Sequence, residues 1–158
     1  MFTRHLVLFL VSMIPIVELR GAMILASRWE LPFLSSLITC MLGNMLPVPF
    51  IYLFARRVLL WGVDKKHIGK ICRFFLEKGE KGGQKLVAKA GRGGLFVALM
   101  LFVGIPLPGT GAWTGTLAAS FLNMGFKSTT AAVTLGVAIA GVIMYLASTG
   151  VFAVFGII

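Results

Sequence analysis

Two charged side chains lie inside the first apolar block of this 158-residue chain. Glu18 and Arg20 interrupt the stretch 6–27, which otherwise carries no charge. A carboxylate and a guanidinium in apolar surroundings are costly unless they are paired or hydrated, so such residues usually mark function. In an unwound turn both can point into one cavity. We interpret them as a substrate or proton site; the alternative is a structural ion pair that caps broken helix ends.

A second segment with chemical potential lies at 105–111 and reads Ile-Pro-Leu-Pro-Gly-Thr-Gly. Its prolines remove backbone donors, and its glycines permit positive φ angles. A helix resuming near Ala112 would present free N–H groups and a positive dipole end, which together bind anions. The pattern therefore predicts a binding turn, and the alternative is a hairpin turn without ligand. The residues predicted to form this turn are Pro106, Pro108, Gly109, Thr110 and Gly111.

Asn44 and Trp113 complete the predicted site. Asn44 is a polar residue in the middle of an apolar block, and the indole N–H of Trp113 follows the glycine turn directly. No His pair, nucleophile elbow, nucleotide-binding loop or metal-ligand spacing occurs in the sequence. We therefore predict a protein that is not an enzyme, that needs no cofactor, and that does not itself hydrolyse ATP.

The composition shows which elements must position these residues. The chain is 58% hydrophobic and 13% charged, with a mean hydropathy of +0.96. The stretches 31–55, 93–126 and 128–158 contain no charged residue. Each exceeds the roughly 20 residues that a helix needs to cross the hydrocarbon core. The sequence therefore predicts a single all-α integral membrane domain that crosses the membrane more than once.

The net charge of +10 is concentrated in one loop. Eleven of the fifteen Lys and Arg residues fall within 56–92, between apolar blocks. Such an excess is typical of the cytoplasmic side and favours contact with membrane lipids rather than nucleic acid. Within it, Ile68, Ile71, Cys72 and Phe75 follow helical spacing, which predicts a basic amphipathic helix on the membrane surface. A solvated linker helix is the alternative.

The apolar blocks alternate between interrupted and continuous, and this order occurs twice. We predict a first repeat at 1–63, a cytoplasmic linker helix at 64–94 and a second repeat at 95–158. Residues 14–16 align with 105–107, Leu42-Gly43 with Leu135-Gly136, and Gly21-Ala22 with Gly111-Ala112 one position out of register. Repeats with interruptions at corresponding positions are a sequence indicator of transporter sites.

Counting membrane crossings gives two topologies. If each interrupted block is a re-entrant helical hairpin and each continuous block a transmembrane helix, the repeats are inverted and both termini lie outside. If all four blocks span, the repeats are parallel and both termini lie inside. We favour inverted repeats, because each interruption lies near the middle of its block and carries polar backbone. Because two hairpins and two spans make a small bundle, we also expect a homo-oligomer, most simply a dimer.

The segments 15–22 and 105–115 resemble the two signature segments of the small multidrug export protein family of prokaryotic membrane proteins. That family in turn resembles the DedA (VTT-domain) superfamily. The resemblance covers nearly the whole chain and implies export of drug-like molecules. The DedA likeness implies paired re-entrant hairpins and translocation of a lipid or lipid carrier driven by an ion gradient. This chain has one acid and one arginine in the first hairpin and no charge in the second.

The sequence thus predicts a small secondary transporter or translocase for an amphipathic substrate, either drug-like or lipid-like. Glu18 would exchange protons or hold a monovalent cation, while Arg20 and the backbone of 109–111 would hold an anionic group. A membrane scaffold or assembly factor that transports nothing is the first alternative, and a channel is the second.

Overall fold

The computed structural model describes residues 2–65, 68–107 and 110–154, and within them every regular element is a helix. The helices are α1 (Phe2–Met13), α2 (Glu18–Arg28), α3 (Phe33–Met45), α4 (Pro47–Val63), α5 (Gly69–Gly104), α6 (Ala112–Phe121) and α7 (Phe126–Val154). The all-α prediction is confirmed. The predicted site residues Pro108 and Gly109 lie outside the described residues.

Prolines set several of these boundaries. Pro47 occupies the first turn of α4, where its missing N–H costs no hydrogen bond, so α3 and α4 form one long element with a break at Leu46. At the other end of the chain, α5 stops at Gly104, and Ile105 is extended because it precedes Pro106. The interruption predicted at 105–111 is therefore present, and the second apolar block, which the sequence predicts to be continuous but kinked at its prolines, is broken at Leu46.

The first break lies at one of the two places that the sequence indicates. The sequence predicts interruptions both at Pro15 and from Glu18 to Gly21; the break occupies 14–17, around Pro15, whereas Glu18 to Gly21 form the first turn of α2. Pro15 explains the position, because it cannot donate the backbone hydrogen bond that would continue α1. Ile16 and Glu18 adopt left-handed backbone angles, with φ of 91° and 51°. The charged pair thus begins a helix rather than lying in an unwound loop.

The short helices α2 and α6 end in the same way. Glu30 and Asn123 follow them in the left-handed conformation, with φ of 54° and 55°. In each case the next residue donates its N–H to a carbonyl one turn back, Leu31 to Ala26 and Met124 to Ala119, both at 3.0 Å. These are Schellman caps, which satisfy the last carbonyls of a helix and turn the chain sharply. Each cap directs the chain into a long helix, α3 or α7.

The helix α5 changes direction once. Gly91 has φ 69° and ψ 177°, which divides the element into a basic segment, 69–90, and an apolar segment, 92–104. Only a glycine adopts that backbone conformation at little cost. The predicted linker helix at 64–94 is therefore a helix over 69–90 that runs, after the break, into the apolar segment of the second half.

The helices differ in whether they are long enough to cross a membrane. By length and composition, two elements among the described residues can cross, Phe33–Val63 and Phe126–Gly150. The helices α1, α2 and α6 have 12, 11 and 10 residues, so each is about 15–18 Å long, well short of a 30 Å core. Large apolar side chains such as Leu34, Phe50 and Leu146 are more than 60% exposed. An exposed apolar surface of this kind is typical of a protein in contact with lipid.

Candidate functional site

The Glu18 carboxylate lies at the start of α6. Glu18 is 7% exposed, and its carboxylate accepts the backbone N–H of Ala112 at 3.2 Å and of Trp113 at 3.1 Å. These N–H groups belong to the first turn of α6, where no partner exists within the helix. The helix dipole adds a partial positive charge at this end. The anion site predicted at the start of α6 is therefore occupied by a carboxylate of the protein itself.

Gly111 provides the space for that carboxylate. A Cβ added at Gly111 would fall directly on the carboxylate oxygens of Glu18. Its backbone is extended, with φ 163° and ψ −171°, so conformation alone does not require glycine here. The need is steric, because any side chain would push Glu18 away from the N–H groups of Ala112 and Trp113.

The Arg20 guanidinium binds the other end of the same turn. It donates to the carbonyls of Leu107 at 2.5 Å and of Val103 and Ile105 at 3.2 Å. It also lies 2.9 Å from the hydroxyl oxygen of Thr110. The Val103 carbonyl lies in the last turn of α5 and the other two follow its end, where helical partners are missing and where Pro106 lacks a donor. A cation at a helix C-terminus is favoured by the dipole.

Glu18 and Arg20 therefore do not pair with each other in the described structure, where no ion pair joins them. Each instead compensates one end of the interruption between α5 and α6, the carboxylate at the N-terminus of α6 and the guanidinium at the C-terminus of α5. Two charges from the first half thus hold the turn of the second half. This arrangement is the capping role that we considered as the alternative. At this position, a change in the charge of Glu18 or Arg20 would weaken the contacts that hold the turn.

Asn44 approaches the same place from α3. It is 2% exposed, and its Oδ1 atom has no hydrogen-bond partner. Glu18, Arg20, Asn44 and Gly111 line one narrow cavity, which has no room for a water-sized sphere. A buried acceptor without a donor usually costs about 1–3 kcal/mol, so Asn44 is a place where a donor would be stabilising.

The remaining predicted residues lie around this cavity. Pro106 and Thr110 belong to the turn that Arg20 binds, and the Thr110 hydroxyl also lies 2.9 Å from the carbonyls of Ile105 and Leu107. Trp113 contributes its backbone N–H to Glu18, while its indole nitrogen is buried without a partner. No group of three metal-ligating side chains occurs among the described residues.

Sequence reasoning missed the backbone acceptors of Arg20 and a second set of contacts at Tyr52. The carbonyls of Val103, Ile105 and Leu107 carry no side-chain signal, although Pro106 indicates unsatisfied carbonyls nearby. The Tyr52 hydroxyl donates to the Met124 carbonyl, and the Ser120 hydroxyl donates to the Tyr52 carbonyl at 3.2 Å. No sequence motif marks Tyr52.

Comparison with known proteins gives one match. A family model described as "Putative small multi-drug export protein" matches residues 18–143. The match covers about four fifths of the chain and includes Glu18, Arg20, Asn44 and the turn at 105–111. No curated protein and no solved structure matches the chain significantly.

Proposed function

Because the chain belongs to the small multidrug export protein family, we propose that it is an ion-coupled membrane transporter for an amphipathic substrate. The observation that carries this proposal is the charge clamp, in which Glu18 and Arg20 hold the interrupted helix of the other half. A clamp made of titratable and charged groups between two moving parts can convert a change of ionisation into a change of conformation.

We further propose that the two halves are inverted repeats, and the glycine contacts support it. A Cβ at Gly43 would collide with the Phe9 carbonyl of α1, and a Cβ at Gly136 would lie 2.7 Å from the Met100 carbonyl of α5. The closest approaches of α1 to α3 and of α5 to α7 thus occur at matching positions. Gly43 and Gly136 are the pair that the sequence alignment suggested.

Burial supports the same repeat and adjusts its register. The buried residues of α2 include Leu19, Ala22, Met23, Ala26 and Ser27; those of α6 are Ala112, Gly115, Thr116, Ala119 and Ser120. Each member of the first set lies 93 positions before its counterpart. This register would place Glu18 opposite Gly111 and Ala22 opposite Gly115, three positions away from the alignment of Gly21-Ala22 with Gly111-Ala112.

Contacts between the long helices support the inversion. Phe33, at the start of α3, packs against Tyr145, late in α7, with ring centroids 4.7 Å apart. Phe126, at the start of α7, packs against Tyr52 in α4 at 5.4 Å. The start of each long helix therefore lies beside the later part of the other. Reciprocal contacts of this kind are expected when two antiparallel helices are related by a two-fold axis.

In the membrane, this arrangement favours two re-entrant hairpins. The Arg4 guanidinium near the start of α1 donates to the Trp29 carbonyl just after α2, so the far ends of these short helices meet and the break at 14–17 forms the tip. By the repeat, the turn at 105–111 is the second tip. We place the basic segment 69–90 in the cytoplasm and both termini on the opposite side, because positive charge is retained inside.

The two halves then meet near the middle of the bilayer, where Glu18 and Arg20 at the start of α2 bind the second tip. Backbone groups at such tips cannot be hydrated by lipid and must be satisfied by protein or by a water-filled cavity. In the structure, Glu18 and Arg20 provide hydrogen-bond partners for these backbone groups. Opening the clamp would expose the N–H groups of α6 and the guanidinium of Arg20, which together could receive an anionic group of the substrate.

We propose the proton as the coupling ion. A neutral Glu18 carboxyl would keep one acceptor oxygen, lose its attraction to the start of α6, and gain an O–H that the unpartnered Asn44 Oδ1 can accept. Arg20 is the one charged group besides Glu18 among the residues that line the cavity from α2, α3, α5, α6 and α7. A metal cation beside that guanidinium, in a cavity this narrow, would be unfavourable.

The test uses purified protein in proteoliposomes that contain a pH-sensitive dye. We expect an imposed pH gradient, and not a sodium gradient, to drive accumulation of an amphipathic fluorescent anion such as anilinonaphthalene sulfonate or transfer of a fluorescent phospholipid between leaflets. The Glu18→Gln variant keeps the shape of the side chain and cannot titrate. We expect it to insert and fold while losing gradient-driven transport.

Other results would assign the chain to another class. Ion current without substrate coupling would indicate a channel, and no flux of any probe from a well-folded protein would favour a scaffold or assembly factor. Normal pH-driven transport by a folded Glu18→Gln protein would eliminate Glu18 as the coupling site. Transport driven by sodium at constant pH would replace the proton with a monovalent cation.

The homo-oligomer remains a prediction, but the surface on which its subunits would meet is not the one that the sequence suggests. We expected the small residues Gly136, Ala140 and Gly141 to form the contact between subunits. In the structure, Gly136 packs against Met100 and Val103, and Gly141 against Leu19 and Leu37. That face is already used within the chain, so a dimer would use another surface.

A further inference from the structure

The junction between α4 and α5 forms an open depression with a strong positive charge. Its lining residues are Val63, Asp64, Lys65, Gly69, Lys70 and Arg73. Three cations and one acid give it a net charge of +2. Lys70 and Arg73 are exposed, and neither forms an ion pair within the part of the chain that the structure describes. The depression is therefore a place where cationic side chains converge without an anionic partner.

Two glycines bring the helices close enough to form this depression. A Cβ at Gly62 would lie 2.5 Å from the Cys72 sulfur, and a Cβ at Gly69 would lie 2.5 Å from the Val63 carbonyl oxygen. Cys72 is itself buried, at 8% exposure. The first turn of α5 is thus packed directly on the last turn of α4, so the cations are held by packed backbone rather than by a free chain.

The rim of the depression is apolar and aromatic. Trp61 is 60% exposed, Ile68 42% and Ile71 57%. The Lys65 ammonium lies 4.5 Å from the centre of the Trp61 ring, a distance at which the ring attracts the cation. Exposed tryptophan and aliphatic side chains beside cations are typical of the level where lipid headgroups meet acyl chains.

We propose that this depression binds the phosphate of an anionic phospholipid from the cytoplasmic leaflet. Lys65, Lys70 and Arg73 would contact the phosphate, while Ile68, Ile71 and Trp61 lie against the upper acyl chains. Charge complementarity favours an anionic lipid over a zwitterionic one, and the apolar rim favours a lipid over free phosphate. The site does not depend on the transport proposal, because none of its lining residues lines the Glu18 cavity; its place at the cytoplasmic leaflet rests on the proposed topology.

The test measures contact between Trp61 and lipid. In a background with Trp29→Phe and Trp113→Phe, the protein is placed in phosphatidylcholine vesicles that contain either brominated phosphatidylglycerol or brominated phosphatidylcholine as quencher. We expect a clear preference for the anionic quencher. Each cation at a membrane surface contributes about fivefold, so Lys70→Gln with Arg73→Gln should reduce that preference about 25-fold. Native mass spectrometry of the unaltered sequence should show retained anionic lipid.

Two controls separate a defined site from general attraction. Lys85→Gln with Lys89→Gln removes the same charge further along the basic segment and should leave the preference at Trp61 nearly unchanged. Gly69→Ala keeps all charges but displaces the packed turn, and should weaken the preference. Equal quenching by both lipids would overturn the proposal. So would an equal loss in the two double variants, because it would mean that diffuse charge rather than this depression attracts the lipid.

Discussion

Residues 2–63 and 91–154 fold into the same order of elements, two short helices followed by a long one. The helix that follows the break is charged only in the first set, where α2 carries Glu18, Arg20 and Arg28, whereas α6 carries no charge. In the register given by burial, Glu18 corresponds to Gly111, Arg20 to Trp113, and Asn44 to Val137. All of these residues except Trp113 line the same narrow cavity. The two halves therefore share a scaffold while the chemistry belongs to one of them.

This difference explains how the halves can interact. If both tips carried a carboxylate and a guanidinium, like charges would face each other across the centre of the molecule, which is unfavourable in a region of low dielectric. Here the first half supplies charges, and the second half supplies backbone dipoles at the ends of α5 and α6. Complementary rather than identical groups thus allow the start of α2 to bind the ends of α5 and α6.

The largest effect on stability is expected at Arg20, whose counterpart in the second half, Trp113, carries no charge. Arg20→Leu would leave the carbonyls of Val103, Ile105 and Leu107 without the guanidinium that binds them, and a hydrogen bond to a charged group typically contributes about 1.5–3 kcal/mol. Thermal unfolding in mild detergent should show severe destabilisation. Trp113→Phe, at the corresponding position, removes an indole N–H that has no acceptor and should change stability by less than about 1 kcal/mol.

An intermediate and equal effect is expected where the halves are alike. Gly43→Ala and Gly136→Ala each place a methyl group against the backbone of a neighbouring helix, which typically costs about 1–3 kcal/mol. The two variants should lower the unfolding midpoint to a similar extent. Gly150→Ala is the matched control, because no atom lies within 4 Å of the added group. Strongly unequal losses at the two crossings would argue against the repeat.

A break in a helix could be predicted from the sequence where its cause lies within the same helix. Pro47 and Pro106 indicated breaks because a missing donor acts within one turn of its own helix. The sequence suggests that several glycines between Gly79 and Gly94 interrupt and end the basic helix; the helix continues through Gly79, Gly82 and Gly83 and leaves the helical conformation at Gly91. A single glycine costs a helix only about 1 kcal/mol, and no local pattern shows which glycine must adopt a left-handed conformation.

The residues of the site could be predicted from their types, but the groups that they contact could not. Glu18, Arg20, Asn44 and Gly111 were identified because polar groups and glycines are unusual in apolar blocks. Their contacts depend on how α2 packs on the turn after α5, about ninety residues away, and nothing near Glu18 in the sequence indicates that. The hypothesis that Arg20 holds a substrate anion therefore has to include the displacement of its backbone partners.

The smallest effect on stability, combined with a large effect on function, is expected at Asn44. Asn44→Val gives α3 the residue that α7 carries at Val137, and it removes a buried acceptor that has no donor. Replacing such a group with an apolar one of similar size is close to neutral, so unfolding should shift by less than about 1 kcal/mol or move toward higher stability. If Asn44 accepts the proton of neutral Glu18, the same variant should lose most pH-driven transport in proteoliposomes.

Val137→Leu, which alters the same cavity without removing an acceptor, is the control for altered packing. A stable Asn44→Val protein with unchanged pH-driven transport would show that the difference between Asn44 and Val137 has no part in coupling.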